Sequence, residues 1–93
     1  MKNIRPHLCF VYVLGSFISS NQKKMRTYVG WSNNLDKRIS KHNKGIGAKS
    51  TRGWQWQLLY VETFLTRSEA MSREWYLKRD RKFRNSLVQN WLN

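Results

Sequence analysis

A continuous apolar stretch near the start of the chain sets the architecture that the other elements must complete. Residues 8–14 form an uninterrupted apolar run that includes β-branched valines. Such a run is typical of a central strand with both faces covered. The chain has 93 residues, the size of one small domain. We therefore expect a single domain over residues 1–93, with this strand inside its sheet.

The remaining patterns predict an α+β fold in the order ββαβαα, with a small three-stranded antiparallel sheet flanked by helices. A polar segment over residues 15–26 predicts a long hairpin loop after the first strand. Thr66 and Glu69 fit a capping box at the start of the second helix. The further elements are predicted at 27–31 and 58–64 for strands, and at 35–43, 68–79 and 82–91 for helices, the last with Phe83, Leu87 and Trp91 on its apolar side.

The net charge indicates a polyanionic partner. Eighteen Lys and Arg against five Asp and Glu give a formal net charge of +13. A field of this size attracts nucleic acid, and its self-repulsion argues against a basic surface kept only for solubility. A membrane surface would favour basic residues gathered on one face of a long amphipathic helix. The basic residues here run through the whole chain, so we expect nucleic acid as the partner and no membrane.

The cysteine content and the N-terminal segment bear on the compartment. Cys9 is the only cysteine, which excludes an internal disulfide and a cysteine-based metal site. Residues 1–20 loosely resemble a signal peptide, but the apolar run is short and lacks a small-residue cleavage pattern. No apolar run approaches the roughly 20 residues of a transmembrane helix. We therefore expect a cytoplasmic protein.

One acidic residue falls on an apolar helix face. In the second predicted helix, Ala70, Met71 and Leu77 form a stripe at helical spacing, and Glu74 lies on the same stripe. A carboxylate that faces a core is costly unless a cation or a metal ion pairs with it. Because the chain has only five acidic residues, this placement indicates a functional site.

Polar side chains on neighbouring elements are candidates to form a site together with Glu74. Arg38 and His42 are four residues apart on the first helix, beside its apolar stripe. Tyr12 and Tyr28 lie in the first two strands, where tyrosine also serves as a packing residue. Polar side chains that converge over a small sheet are typical of an active site.

The distribution of acidic residues and histidines argues against several kinds of active site. Two-metal nucleases need clustered carboxylates, whereas those of this chain are scattered. Two histidines are a poor basis for a metal site made of histidine alone, and no nucleophile-elbow pattern surrounds a serine. A single-metal site with one carboxylate, an arginine and phenols remains.

Several separated motifs resemble the GIY-YIG nuclease domain, from about residue 8 to residue 88. They are Phe10-Val11-Tyr12, Tyr28-Val29-Gly30, Arg38, His42 and Glu74. The loop Gly45-Ile-Gly-Ala-Lys-Ser-Thr-Arg-Gly53 and the helix Glu74-Trp-Tyr-Leu-Lys78 are similar to the small single-domain bacterial group of that superfamily, the YhbQ-like proteins. The first motif lacks its Gly-Ile, so only Tyr12 carries over there.

The resemblance implies a metal-dependent endonuclease that hydrolyses DNA phosphodiester bonds, on single-stranded, branched or damaged DNA. Glu74 would hold one Mg²⁺ or Mn²⁺ ion, and Tyr12 would act on the attacking water as its base or positioner. Tyr28 and His42 would complete the water and phosphate contacts, and Arg38 would neutralise charge on the phosphoryl oxygens. A phenol has a pKa near 10, so Tyr12 needs a nearby cation to lower it.

Other residues are candidates for binding the nucleic acid. Gly30 interrupts a strand and predicts close approach of another group to the backbone. Trp31, Trp54 and Trp56 are suited to stacking on unpaired bases, although packing explains them equally well. With one domain, specificity has to come from loops, a protein partner or DNA shape. Suitable phosphate-binding groups are Lys41, Lys44, Lys49, Arg52 and Lys78.

Two alternative functions stay open. The chain could be a nucleic-acid-binding module without catalysis, although a binding module has no need of Glu74. It could also be a small basic ribonuclease, because the sequence favours DNA over RNA only through the resemblance. Cleavage of DNA and RNA oligonucleotides side by side separates these alternatives.

Overall fold

The computed structural model describes residues 7–17 and 25–92. Its strands are β1 (Cys9–Phe17), β2 (Met25–Ser32) and β3 (Gln57–Phe64), and they form one antiparallel sheet in the order β2-β1-β3. Its helices are α1 (Leu35–Asn43), α2 (Arg67–Arg79) and α3 (Arg81–Leu92), and a short 3-10 turn lies at Lys49–Thr51. The order is ββαβαα, so the predicted α+β fold is confirmed.

The central strand β1 is covered on both faces, as its apolar run predicts. Val11 and Val13 are buried in one apolar cluster together with side chains of α2 and α3. Tyr12 and Leu14 point the opposite way and pack with Trp56 and with side chains of α1. The alternation follows from the strand itself, since successive side chains point to opposite faces. Tyr12 is thereby placed on the face that α1 covers.

β1 and β2 are longer than the sequence predicts. The predicted loop over 15–26 is wrong at both ends, because β1 continues through Gly15 and β2 starts before Thr27. Gly15 pairs with Thr27 on one side and with Gln57 on the other, and this double pairing outweighs the weak β-propensity of glycine. A Cβ at Gly15 would lie 2.6 Å from Leu59, so a side chain there would clash. Residues 18–24 of the predicted loop lie outside the described residues.

The capping signals set where the helices begin. Asn34 Oδ1 accepts a backbone N–H from the first turn of α1 at 3.2 Å. At the start of α2, Thr66 Oγ1 accepts the Glu69 N–H at 3.2 Å and donates to Glu69 Oε1 at 2.8 Å, which confirms the predicted pair. Asp80 Oδ1 accepts the Phe83 N–H at 3.0 Å at the start of α3. These caps fix the helix registers that aim the side chains described below.

Two predicted apolar helix faces differ in detail. Met71 is 46% exposed, whereas Ala70 and Leu77 of the same helix are fully buried. Met71 follows Ala70 directly, and one residue turns a helix by about 100°, which takes Met71 off the buried face. On α3, Trp91 is 49% exposed and Val88 takes the buried position. No helix within residues 7–17 and 25–92 is long and apolar enough to cross a membrane.

Candidate active site

Tyr12 reaches from β1 across β2 because Gly30 has no side chain. The two residues are paired in the antiparallel register. A Cβ at Gly30 would lie 2.5 Å from the Tyr12 hydroxyl oxygen and 2.9 Å from Cε2 of Tyr28. The close approach predicted at Gly30 is therefore made by the phenols of the protein itself. A contact of Gly30 with nucleic acid stays a prediction.

His42 is fully buried against the two tyrosines, although its spacing on α1 indicates only the edge of an apolar stripe. Its Nε2 lies 3.0 Å from the Tyr12 hydroxyl, and its Nδ1 lies 2.8 Å from Oγ1 of Thr51. The ring centroids of Tyr28 and His42 are 4.8 Å apart. Both imidazole nitrogens thus have partners within the protein, and the two phenols and the imidazole form one cluster.

Arg38 joins this cluster from one turn earlier on α1. Arg38 is half-buried, and its guanidinium lies near enough to the hydroxyls of Tyr12 and Tyr28 to interact with both. The hydrogen bond to Tyr12 raises the pKa of Arg38, against the opposing effect of burial. The guanidinium therefore stays charged beside the two phenols. The structure thus brings Arg38 and His42 of α1 together with the two tyrosines, and their catalytic roles stay a prediction.

Burial controls the protonation of the Tyr12–His42 pair. Burial raises the pKa of Tyr12 to about 12, with a hydrogen bond from Arg38 opposing it and with Tyr28 and Glu74 adding to it. Burial also lowers the pKa of His42, and the charge of Arg38 adds to that effect. The expected cation is present, but the pKa of Tyr12 stays above its ordinary value, because desolvation outweighs the effect of Arg38. Near pH 7, Tyr12 is a neutral phenol and His42 a neutral imidazole.

Glu74 approaches this cluster from α2. Its side chain is 20% exposed, so the expected buried carboxylate is in fact partly accessible. It pairs with Lys78, one turn later, at 3.7 Å, and the Lys78 side chain is 52% exposed. Helix pairs of this kind contribute only about 0.3–0.5 kcal/mol. Its charge contributes to the raised pKa of Tyr12, which places the carboxylate within electrostatic range of the phenol.

The other acidic residues have structural tasks. Glu62 of β3 forms an ion pair with Arg73 of α2 at 3.0 Å. Glu69 and Asp80 cap α2 and α3, and Asp36 lies in the first turn of α1, where the helix dipole favours a carboxylate. Glu74 stands apart, because a weak contact with an exposed lysine does not explain its position.

The donor set suits a hard divalent ion. Among residues 7–17 and 25–92, no group of three or more His, Cys, Asp and Glu side chains could hold a metal ion together. Mg²⁺ does not need such a cage, since it keeps several waters and binds through one or two carboxylates and substrate phosphates. Mn²⁺ also prefers carboxylate and water oxygens. The accessible Glu74 carboxylate therefore fits Mg²⁺ or Mn²⁺.

Two basic clefts adjoin the cluster. One has a volume of about 230 Å³ and is lined by Ser32, Asn33, Asn34, Lys37, Arg38 and Lys41. The other has a volume of about 300 Å³ and is lined by Thr27, Tyr28, Val29, Ser50, Lys78 and Arg84. Arg38 and Tyr28 each contribute to one cleft. Lys41 and Lys78 are among the residues predicted to bind phosphate, whereas no sequence pattern indicates Arg84.

Arg84 owes its position to helix packing. Its guanidinium Nη1 donates to the carbonyls of Leu77 and Lys78 at 2.7 Å each, and its Nε donates to Thr27 Oγ1 at 3.2 Å. Arg84 therefore satisfies carbonyls in the last turn of α2 and ties α3 to β2. It brings a positive charge to the cleft beside Tyr28.

The other residues predicted to bind nucleic acid differ in how far they are exposed to solvent. Lys44, Lys49 and Arg52 are exposed on the loop between α1 and β3, where a phosphate backbone can reach them. Their part in binding stays a prediction. Trp56 is 4% exposed and its Nε1 donates to the Thr51 carbonyl at 2.9 Å, so packing, the second of the two alternatives, explains Trp56.

Two tryptophans retain an accessible ring. Trp31 and Trp54 are half-buried. The guanidinium of Arg67 lies 5.2 Å from the ring centroid of Trp31, and that of Arg26 lies 4.3 Å from the ring of Trp54. Stacking of these two rings on unpaired bases stays a prediction.

This combination of fold and side chains matches a known catalytic domain. The model of the GIY-YIG catalytic domain matches residues 9–87. The chain belongs to the GIY-YIG family. Membership confirms the predicted superfamily and implies a nuclease with a nucleic-acid substrate. Domains of this family typically use a divalent metal ion, in agreement with the donor set at Glu74.

Relatives of the GIY-YIG chain occur in several bacteria. It is 46% identical over 71 residues to UPF0213 protein CPE1444 of Clostridium perfringens, which covers 75% of this chain and 70% of that protein. It is 44% identical over 57 residues to UPF0213 protein OB0043 of Oceanobacillus iheyensis, covering 60% of this chain and 66% of that one. It is 43% identical over 53 residues to UPF0213 protein YazA of Bacillus subtilis, covering 56% and 54%.

These relatives refine the predicted grouping. The chain spans 54% to 70% of the length of these three proteins. They are YazA-like members of UPF0213, so the narrower YhbQ-like assignment is not confirmed. No solved structure matches the chain.

Proposed function

We propose that the protein is an endonuclease that hydrolyses DNA phosphodiester bonds with one Mg²⁺ or Mn²⁺ ion. The observation that carries this proposal is the cluster of Tyr12, Tyr28, Arg38 and His42 beside the Glu74 carboxylate. Binding alone would not require a partly buried carboxylate in a chain whose field is strongly positive. The cluster supports a catalytic protein over a binding module.

The residues of the cluster have complementary roles in this proposal. Glu74 would hold the ion, which supplies electrostatic stabilisation of the scissile phosphate and its leaving oxygen when bound. Arg38 would donate to the phosphoryl oxygens as negative charge develops on them. The Tyr12 hydroxyl would orient the attacking water and take its proton. Tyr28 would complete the contacts to water and phosphate from the wall of its cleft.

The basic surface would hold the DNA backbone around this cluster. Lys41 and Lys78 line the two clefts, and Lys44, Lys49 and Arg52 are exposed on the loop after α1. Contacts of this kind carry no direct sequence information. We infer that the domain cleaves single-stranded or structured DNA with little sequence preference of its own, and that a protein partner or the shape of the DNA provides selectivity.

Cleavage of defined oligonucleotides tests the proposal. Labelled single-stranded, duplex and forked DNA, and RNA of the same sequence, are incubated with the protein in Mg²⁺, in Mn²⁺ and in chelator. The expected result is internal cleavage of at least one DNA, only with a divalent ion. Divalent-dependent cleavage of RNA alone would make the protein a ribonuclease. Tight binding of every substrate without cleavage would make it a binding module.

A further inference from the structure

A row of hydrogen bonds runs from the backbone to the imidazole of His42 through Thr51. The Thr51 hydroxyl oxygen lies 2.6 Å from the carbonyl oxygen of Ala48 and 2.8 Å from Nδ1 of His42. A carbonyl oxygen can only accept, so the single hydroxyl proton of Thr51 lies on the bond to Ala48. The Thr51 oxygen then accepts from His42, which places the ring proton on Nδ1.

The second ring nitrogen is thereby left free to accept from Tyr12. Nε2 of His42 is 3.0 Å from the Tyr12 hydroxyl oxygen. A neutral imidazole carries one N–H, so Nε2 offers a lone pair and Tyr12 donates to it. Arg38 also hydrogen-bonds to Tyr12, but a guanidinium can only donate and does not compete for the phenol proton.

We propose that Thr51 is a positioning residue that holds His42 in its Nδ1–H form, so that Nε2 receives the Tyr12 proton when Tyr12 takes a proton from the attacking water. This inference rests on the proposed nuclease function. One proton passes from water to the Tyr12 oxygen while the phenol proton passes to Nε2. The hydroxide oxygen bonds to phosphorus as the bond to the leaving oxygen breaks. Tyr12 ends neutral, and the imidazolium still donates its Nδ1–H to Thr51.

The relay explains how a buried phenol can act as a base. Burial raises the pKa of Tyr12 to about 12, so its phenolate is scarce near pH 7. Burial lowers the pKa of His42, which keeps the imidazole neutral and able to accept. In the opposite tautomer, Nε2–H would donate to Tyr12 and the phenol proton would have no acceptor on His42. The ionisable groups that face His42 are Tyr12 on β1, Tyr28 on β2 and Arg38 on α1.

The loop before β3 is shaped to hold Thr51 against the imidazole. Thr51 is fully buried, and its carbonyl accepts the indole N–H of Trp56 at 2.9 Å. A Cβ at Gly47 would lie 2.5 Å from Nδ1 of His42, so only glycine lets the loop pass along this edge of the ring. Gly45 and Gly53 turn the chain at either end of the loop with φ of 79° and 81°, values that favour glycine. The glycine-rich segment thus positions a catalytic imidazole in addition to offering basic residues to DNA.

The tautomer of His42 can be measured without any nuclease assay. Two-bond proton–nitrogen correlation spectra of ¹⁵N-labelled protein at pH 7.5 distinguish a protonated Nδ1 from a protonated Nε2, with the exposed His7 as an internal reference. The expected spectrum has the proton on Nδ1 of His42 in the wild type and in Thr51→Ser, which keeps the hydroxyl. Thr51→Val, of nearly the same shape, should move at least part of the population to Nε2–H.

Kinetics separate positioning from structural support. In single-turnover cleavage of the best DNA substrate, Thr51→Val should be slower than the wild type by at least about tenfold. The loss is smaller than the roughly 10²–10⁴-fold contribution of a complete proton transfer, because only its positioning is impaired. The Kd for DNA should stay within about twofold, and Thr51→Ser should recover the rate to within about threefold. The exposed Thr63→Val on β3 is the matched control and should cleave like the wild type.

Three outcomes would overturn the inference. They are a wild-type spectrum with the proton on Nε2, a folded Thr51→Val with His42 wholly in the Nδ1–H form, and a folded Thr51→Val that cleaves at the wild-type rate. If Thr51→Val does not fold, the wild-type and Thr51→Ser spectra still decide the tautomer. A wild type that cleaves nothing would refute the proposed function and, with it, the relay. If the spectrum of such a protein still shows Nδ1–H, Thr51 sets the tautomer of His42 but has no part in catalysis.

Discussion

At the scale of single residues, the hydroxyl of Tyr12 has the most defined surroundings in the cluster. It donates to His42, interacts with the guanidinium of Arg38 and lies over the bare backbone of Gly30. Its position therefore depends on three residues from two elements, α1 and β2. Removing the hydroxyl alone tests whether this convergence serves catalysis or only packing.

Tyr12→Phe should cleave DNA about 10²–10⁴-fold more slowly, because the attacking water loses its proton acceptor. The variant should fold, but with a free energy of unfolding lower by about 1–3 kcal/mol, since Nε2 of His42 loses its partner. Single-turnover rates and urea denaturation measure the two effects. Tyr60→Phe is the control, because it also removes one tyrosine hydroxyl. Tyr60 donates to Glu62 and packs on the opposite face of the sheet from the candidate site. A rate reduction under about threefold would make Tyr12 structural.

His42 predicts how stability depends on pH. Its pKa is lower in the folded protein than its ordinary value of about 6.5, so the unfolded chain binds more protons. The free energy of unfolding should therefore decrease as the pH falls below about 6.5 and level off above it. Urea denaturation at pH 5.5 and 7.5 should give a smaller difference for His42→Gln than for the wild type. His7→Gln, at an exposed histidine, should keep the wild-type difference. An unchanged difference in His42→Gln would contradict the assignment.

At the scale of elements, Asn43 joins the end of α1 to the segment before β3. Its Oδ1 accepts the Trp56 backbone N–H at 2.6 Å, and its Nδ2 donates to the Trp56 carbonyl at 3.3 Å. Asn43→Ala should lower the free energy of unfolding by about 1–3 kcal/mol, because backbone groups of Trp56 lose their partners. It should also slow cleavage, since the same segment carries Thr51. Asn90→Ala, at an exposed position on α3, should lower neither quantity, and a neutral Asn43→Ala would show that other contacts hold the segment.

The same elements show what a sequence alone could predict. The apolar run of β1 and the cap of α2 are local patterns, so the element order and the beginning of α2 followed from them. The loop predicted at residue 15 was wrong because pairing of Gly15 with two strands is a tertiary effect. The prediction that Met71 and Trp91 lie on buried helix faces is wrong, because the spacing of apolar residues does not distinguish between two neighbouring faces of a helix.

Local sequence patterns also predicted a part of the candidate site. Arg38 and His42 share a helix edge by spacing, and the tyrosines carried recognisable motifs. No sequence pattern indicates Thr51 or Asn43, because Thr51 contacts His42 nine positions away and Asn43 contacts Trp56 thirteen positions away, and neither contact belongs to a repeating pattern. The raised pKa of Tyr12 depends on burial, which the sequence does not display.

At the scale of the whole molecule, the charge of +13 predicts steeply salt-dependent DNA binding. With about five phosphate contacts to single-stranded DNA, log K should fall with log[salt] at a slope of roughly −3.5. Lys49→Ala with Arg52→Ala should flatten this slope by about one to two and weaken all sequences alike. Binding isotherms over a range of NaCl concentrations measure it.

A charge-matched control separates local contacts from the overall field. Arg81→Ala with Lys82→Ala removes the same two charges from exposed positions on α3 and should change the slope less. Equal effects of the two double variants would mean that net charge alone governs binding. A sequence-selective loss in the loop variant would mean that the loop reads bases.

We propose that one carboxylate, Glu74, makes this domain a divalent-metal-dependent nuclease. The most direct measurement is the single-turnover rate of DNA cleavage over a Mg²⁺ titration for the wild type, Glu74→Gln and Glu69→Gln. Glu69 is an exposed cap residue, and glutamine also serves in that motif. We expect no metal-dependent cleavage by Glu74→Gln with DNA affinity equal or higher, and wild-type cleavage by Glu69→Gln. Wild-type, Mg²⁺-dependent cleavage by Glu74→Gln would show that this carboxylate does not hold the catalytic metal ion.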